Sequence, residues 1–199
     1  MANLTSDKFT RRSFIKGSGA AAAATTLATA TATTADAQTG GANVVSGETT
    51  VQLNVNGKNH SVKVEPRTTL LEVLRYQLDL TGAKPVSMDG SSGASTVMID
   101  GRLAMASTTL AIAAQGKSIQ TVESLVSDAV PRAFVEHDAS QCGFCTPGFV
   151  VAVRAFLNKN PNATEAQIRG GLNGNICRCG TYANVIQAAL SVVKGGGNG

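Results

Sequence analysis

The chain has 199 residues, with 17 Lys and Arg against 13 Asp and Glu and a net charge of +4. Without residues 1–37, thirteen basic residues face eleven acidic ones, a charge of +2, so half of the basic character belongs to the N-terminus and gives no footing for a nucleic-acid partner. Aromatic residues make up 4% with no Trp, which excludes base-stacking platforms and an aromatic membrane belt, and 43% hydrophobic residues exclude wholesale disorder.

The chain opens on a segment built as an address. Thr10-Arg11-Arg12-Ser13-Phe14-Ile15-Lys16 joins two adjacent Arg to an apolar pair, and an Ala/Thr-rich run follows from Gly17 to Thr34. Ala35-Asp36-Ala37 then offers small residues where a signal peptidase reads, predicting cleavage before Gln38. Residues 1–37 resemble a twin-arginine signal, which is read by a receptor and exports proteins already folded, so the expected location is periplasmic. The Ala/Thr run holds one Leu and no Ile, Phe or Val, too little for stable membrane insertion. Residues 38–48 read as a flexible linker.

From Thr50 the pattern has period two: Val51, Leu53 and Val55 alternate with Gln52, Asn54 and Asn56. Asn56-Gly57 predicts a type I′ hairpin, with Val62 and Val64 on the return strand. Thr69 and Glu72 form a capping-box pattern ahead of a short helix over Leu70 to Gln77. A Gly/Ser-rich loop spans Thr81 to Ser95. Val97 and Ile99 lead into an Asp100-Gly101 turn, Leu103 and Met105 return, and a last strand takes in Ile119, Thr121 and Val122. Residues 49–122 thus form a predicted α+β unit.

Beyond Glu123 the period becomes helical. Val130, Ala133, Phe134 and His137 share one helix face. Thr146-Pro147 reads as an N-cap with Pro at the first helical position, ahead of Phe149, Val150, Val153 and Leu157. Thr164 with Gln167 caps a third helix toward Leu172, and a fourth runs from about Ala183 through Val185, Ile186, Ala189, Leu190 and Val193. Residues 123–194 are a predicted all-α four-helix domain, and residues 195–199 a frayed tail.

All four cysteines sit in two of the helix connections: Cys142 and Cys145 between the first and second helices, Cys177 and Cys179 between the third and fourth. An up-and-down bundle brings these connections to one end, where four thiols can converge. Disulfides are the default for an even count in an exported chain, but bridges within either pair close strained loops. Zinc usually takes two C-x-x-C knuckles, and C-x-C is unusual for it. A [2Fe–2S] cluster carries a net charge of about −2, which the amides opening the second helix and Arg178 would favour. On these residues alone the three readings stay open.

Gln141-Cys142-Gly143-Phe144-Cys145-Thr146-Pro147-Gly148, followed by Gly174-Asn175-Ile176-Cys177-Arg178-Cys179-Gly180-Thr181-Tyr182 with 31 residues between Cys145 and Cys177, closely resembles the iron–sulfur subunit of the molybdenum hydroxylases, the xanthine dehydrogenase and aldehyde oxidoreductase family. The resemblance extends through Thr68-Thr69-Leu70-Leu71 and Gly93-Ala94-Ser95-Thr96-Val97. It implies a β-grasp, plant-ferredoxin-like domain followed by the four-helix domain, with a [2Fe–2S] cluster on Cys142, Cys145, Cys177 and Cys179. It also implies a large molybdopterin-binding partner that carries the substrate chemistry, aldehydes or N-heterocycles being the expected substrates. In the family the four-helix cluster lies nearest the molybdopterin, and a second cluster in the ferredoxin-like domain leads toward a flavin subunit. Gln141 falls in the region that the family sets against the pterin.

The chain departs from that family at one place. The four ligand positions of the second cluster fall on Ser87, Ser92, Ser95 and Ser107, within an intact frame of Thr81-Gly82-Ala83-Lys84, Gly93-Ala94 and Asp100-Gly101. A Ser hydroxyl stays protonated at neutral pH and is a hard, weak ligand for iron, so these residues are expected not to bind a cluster. Electrons are then expected to leave by an acceptor other than FAD, such as a haem cytochrome. His60 and His137 lack ligand-like spacing and read as ordinary surface or helix residues. The alternative class is a structural or assembly subunit with zinc or no metal at the Cys site.

Overall fold

The computed structural model describes residues 45–195. The export segment, residues 38–44 of the linker and residues 196–199 of the tail lie outside the described residues.

Strands β1 (Thr49–Val55) and β2 (Lys58–Val64) form the first hairpin, with Val51 opposite Val62 and Leu53 opposite His60. Asn56 (φ 52°) and Gly57 (φ 77°) both take positive φ, the type I′ geometry the dipeptide predicts. Val51, Leu53, Val55, Val62 and Val64 all face inward, so the period-two reading assigns the faces correctly. Helix α1 (Leu70–Glu72) starts at the predicted capping box: the Glu72 N–H donates to the Thr69 hydroxyl at 3.2 Å, and the Thr69 N–H donates to the Glu72 carboxylate at 2.7 Å. The predicted extent to Gln77 is right, but Val73–Gln77 winds as a π-helix that closes with the Leu78 N–H on the Val73 carbonyl. Over two turns, apolar spacing does not separate the two windings.

Strands β3 (Thr96–Ile99) and β4 (Arg102–Met105) make the second hairpin about Asp100-Gly101, and β5 is Ser118–Gln120. The strand order is β2-β1-β5-β3-β4, with β5 parallel to β1 and antiparallel to β3. This mixed sheet, with Leu70 and Leu71 of α1 and Val73 and Leu74 of the π-helix that continues it packed in its apolar core, is the β-grasp part of the α+β fold. Thr121 and Val122 do not extend β5. Asn56 takes the Thr121 N–H at 2.9 Å, which ends the ladder, and Val122–Leu125 turns into a 3₁₀ helix.

Four helices follow: α2 (Ala129–Glu136), α3 (Thr146–Lys159), α4 (Glu165–Gly171) and α5 (Tyr182–Lys194). The second capping box forms as predicted, with the Thr164 N–H on the Gln167 side chain at 2.8 Å. Val130, Ala133 and Phe134 are buried, while His137 is the C-cap of α2. Thr146 is not an N-cap. The helix begins on Cys145, and the Thr146 hydroxyl donates instead to Ser140 Oγ at 2.9 Å.

Helix α3 is buried nearly all round, which marks it as central. Phe149, Val150, Val153 and Leu157 face the other helices, while Val151 and Ala155 pack on Met98 of β3. Strand β3 is accordingly buried on both faces, which explains why Thr96-Val97-Met98-Ile99 lacks a clean alternation. Asp128 both caps α2, accepting from the Val130 N–H at 2.8 Å, and pairs with Arg154 of α3 at 3.3 Å. Among the described residues no helix is long and apolar enough to cross a membrane.

Candidate metal centre

The α2–α3 connection supplies Cys142 and Cys145, and the α4–α5 connection supplies Cys177 and Cys179. All four are free thiols, and they interact across the two connections: Cys145 with Cys177, Cys142 with Cys179. Burial pushes the Cys145 thiol up to about 12, helped by its hydrogen bond with Cys177 and by the charge of Cys177 and Cys142. Burial opposes ionisation of Cys177 too. There, hydrogen bonds from the Thr181 hydroxyl and backbone, from Cys145 and from the Gly180 backbone more than offset it and bring the thiol down to about 7. For Cys179, the Cys142 backbone N–H favours the thiolate, but the Cys142 thiol, burial and neighbouring charge outweigh it and push the group up.

The donor chemistry fits an iron–sulfur cluster, whose iron–sulfide core is cationic before the thiolates bind it. Cys145 and Cys179, whose thiols are pushed up by burial and by their sulfur neighbours, need positive charge beside them before they ionise, and a metal supplies it. Among the described residues no three Cys, His, Asp or Glu stand together as ligands for a single ion. The N-terminal pole of α3 falls on Cys145 itself, where the helix dipole favours negative charge. Cys177 is buried, whereas Cys142, Cys179, Arg178 and Gln141 are exposed.

The four serines also come together, in two pairs. Ser87 and Ser92 hydroxyls lie 2.7 Å apart, and Ser95 and Ser107 hydroxyls lie 2.9 Å apart, the latter pair fully buried. Each pair satisfies its own polar groups, which removes the cost of leaving them unpartnered in the protein.

Sequence reasoning missed the junction that ties this loop to the cysteines. The Asn175 side chain donates to the Gly93 carbonyl at 2.8 Å, and the Ile176 N–H donates to the Ser92 carbonyl at 3.0 Å. Gly93 has φ +69°, and a Cβ there would lie 2.4 Å from the Gly174 carbonyl oxygen. Lys84 adds a cation–π contact 5.9 Å from the Phe144 ring centre. Gly93 and Asn175 are 82 residues apart, so no local pattern announces the contact. His60 sits on β2 and His137 is the C-cap of α2.

A family model described as a [2Fe-2S] binding domain matches residues 121–190. The nicotine 6-hydroxylase small subunit of Paenarthrobacter nicotinovorans is 39% identical over 143 residues, 70% of this chain and 87% of that protein. This chain belongs to the iron–sulfur small subunits of the molybdenum hydroxylases. The aldehyde oxidoreductase iron-sulfur-binding subunit PaoA of Escherichia coli (strain K12) is 40% identical over 155 residues, 68% of each chain. The crystal structure of quinoline 2-oxidoreductase from Pseudomonas putida 86 contains a chain that matches with a TM-score of 0.71 and 35% identity, covering 76% of this chain and 99% of that one. A twin-arginine signal model matches residues 8–28, so this small subunit carries the export signal for the periplasm. Its role is that of an iron–sulfur electron-transfer subunit in an oxidoreductase complex.

Proposed function

We propose that Cys142, Cys145, Cys177 and Cys179 hold the subunit's one [2Fe–2S] cluster, and that Ser87, Ser92, Ser95 and Ser107 hold none. The observation that carries this reading is the cross-connection interaction of four free thiols, set beside four hydroxyls already paired with each other. When bound, such a cluster takes up and passes on single electrons. The chain's own residues supply the thiolates, the N-terminal pole of α3 and a site half shielded from water.

The cluster would receive electrons from a large molybdopterin-binding subunit that oxidises aldehydes or N-heterocycles, as the names of the relatives suggest for their own complexes. Phe144 and Ile176 are 52% and 54% exposed immediately beside Cys145 and Cys177, a concentration of apolar surface suited to burial under that partner. Gln141, exposed at the same edge, faces the pterin side in this arrangement. With no second cluster, electrons leave toward a cytochrome-type acceptor rather than along the usual route to FAD.

The test is turnover of the assembled complex with flavin-linked and cytochrome-linked acceptors. Cytochrome reduction should exceed flavin-linked reduction by at least about tenfold, a barrier difference of about 1.4 kcal/mol. Equal rates would count against the altered exit.

A further inference from the structure

Thr181 occupies the N-cap position of α5, where a Thr side chain ordinarily accepts a backbone N–H of the first turn. Here it makes no such bond. Its hydroxyl instead lies 3.2 Å from Cys177 Sγ, with both residues buried. The neighbouring Tyr182 oxygen accepts the Cys177 N–H at 2.8 Å and stacks its ring edge-on to Phe149, with centroids 6.1 Å apart. That contact spends the Cys177 amide on a side chain and fixes the backbone that carries the sulfur. A residue suited to capping that forgoes its cap has been turned to another use.

We infer that Thr181 is the positioning residue that sets the reduction potential of the centre, by donating its hydroxyl hydrogen to Cys177 Sγ. The inference rests on the assignment of Cys177 as a cluster ligand. In the free thiol either atom can donate. Once the sulfur has given up its proton to bind iron, only the hydroxyl can. Reduction adds one electron and no proton, so the sulfurs become more negative and the hydrogen bond strengthens. The bond therefore favours the reduced state and raises the potential. At a buried sulfur this effect is poorly screened by solvent.

The experiment is an EPR-monitored potentiometric titration of the complete, iron-loaded chain and its variants. Thr181→Val keeps the shape and removes the donor, and it costs no cap. It should lower the reduction equilibrium constant by about tenfold, which for one electron is about 59 mV. Thr181→Ser keeps the donor and should stay near the parent value. Thr181→Ala serves where the valine variant does not load iron. An unshifted potential in whichever of the two loads would overturn the inference. So would loss of iron in both with Thr181→Ser intact, because the hydroxyl would then serve assembly and not potential. Absence of iron from the parent chain would instead overturn the ligand assignment beneath it.

Discussion

Changing Ser87, Ser92, Ser95 and Ser107 together to Cys should raise bound iron from about two to about four per chain after anaerobic reconstitution. The four serines already stand in two hydroxyl pairs, at 2.7 and 2.9 Å. Ser87 and Ser92 lie in the loop, Ser95 just precedes β3 and Ser107 just follows β4. What is missing is the ligand chemistry: a soft, ionisable sulfur at each position. Because paired hydroxyls lie within hydrogen-bonding distance, the introduced thiols are also close enough to oxidise to disulfides, so reductant must be present during loading. A second EPR signal should accompany the extra iron. Single replacements should leave iron at about two, because one thiolate among three hydroxyls is too weak a set. If the fourfold variant also stays at two under reducing conditions, the serines do not mark a lost cluster.

The second large effect concerns packing. Gly148 lies in the first turn of α3, three residues after Cys145, and a Cβ there would stand 2.4 Å from the Gly93 carbonyl oxygen and 3.3 Å from Ala94 Cα. Those two atoms are backbone and cannot swing aside, and the Asn175 side-chain nitrogen, 3.2 Å from the added Cβ, is held by its own bond to the Gly93 carbonyl. Gly148→Ala must push the serine loop off the helix, which also strains the buried bond from Asn175 to that same carbonyl. Overpacking of this kind costs about 1–3 kcal/mol, and a disturbed buried hydrogen bond adds about 1 kcal/mol or more. The expected outcome is a thermal midpoint lower by about 10 °C, at about 2–4 °C per kcal/mol for a protein of this size. Gly170→Ala is the internal control. A methyl group at that position of α4 would meet no heavy atom within 4 Å, so the change should raise stability by up to about 1 kcal/mol. Calorimetry on both variants separates crowding from helix propensity, and equal midpoints would refute the junction's importance.

These two sites show what the sequence does and does not reveal. Both hairpin turns, both capping boxes and the inward faces of β1 and β2 were legible because each depends on residues within a few positions of one another. The cysteines were legible as a set for the same reason: two short motifs in two connections. Thr146 misled because a hydroxyl before Pro has two uses, and only the folded α2–α3 connection brings Ser140 within 2.9 Å to claim it. Strand β3 gave a weak pattern because α3, from another part of the chain, covers its second face. Thr181 lies inside a legible motif, yet its function depends on which way one hydroxyl turns.

Whether the two helix connections close on a diiron centre is tested most directly by metal analysis and EPR of the dithionite-reduced, anaerobically purified full chain. About two irons and two acid-labile sulfides per chain, with a single rhombic signal that Cys177→Ser abolishes, are the predicted result. A colourless chain without iron, or one holding zinc and silent in EPR, would contradict it.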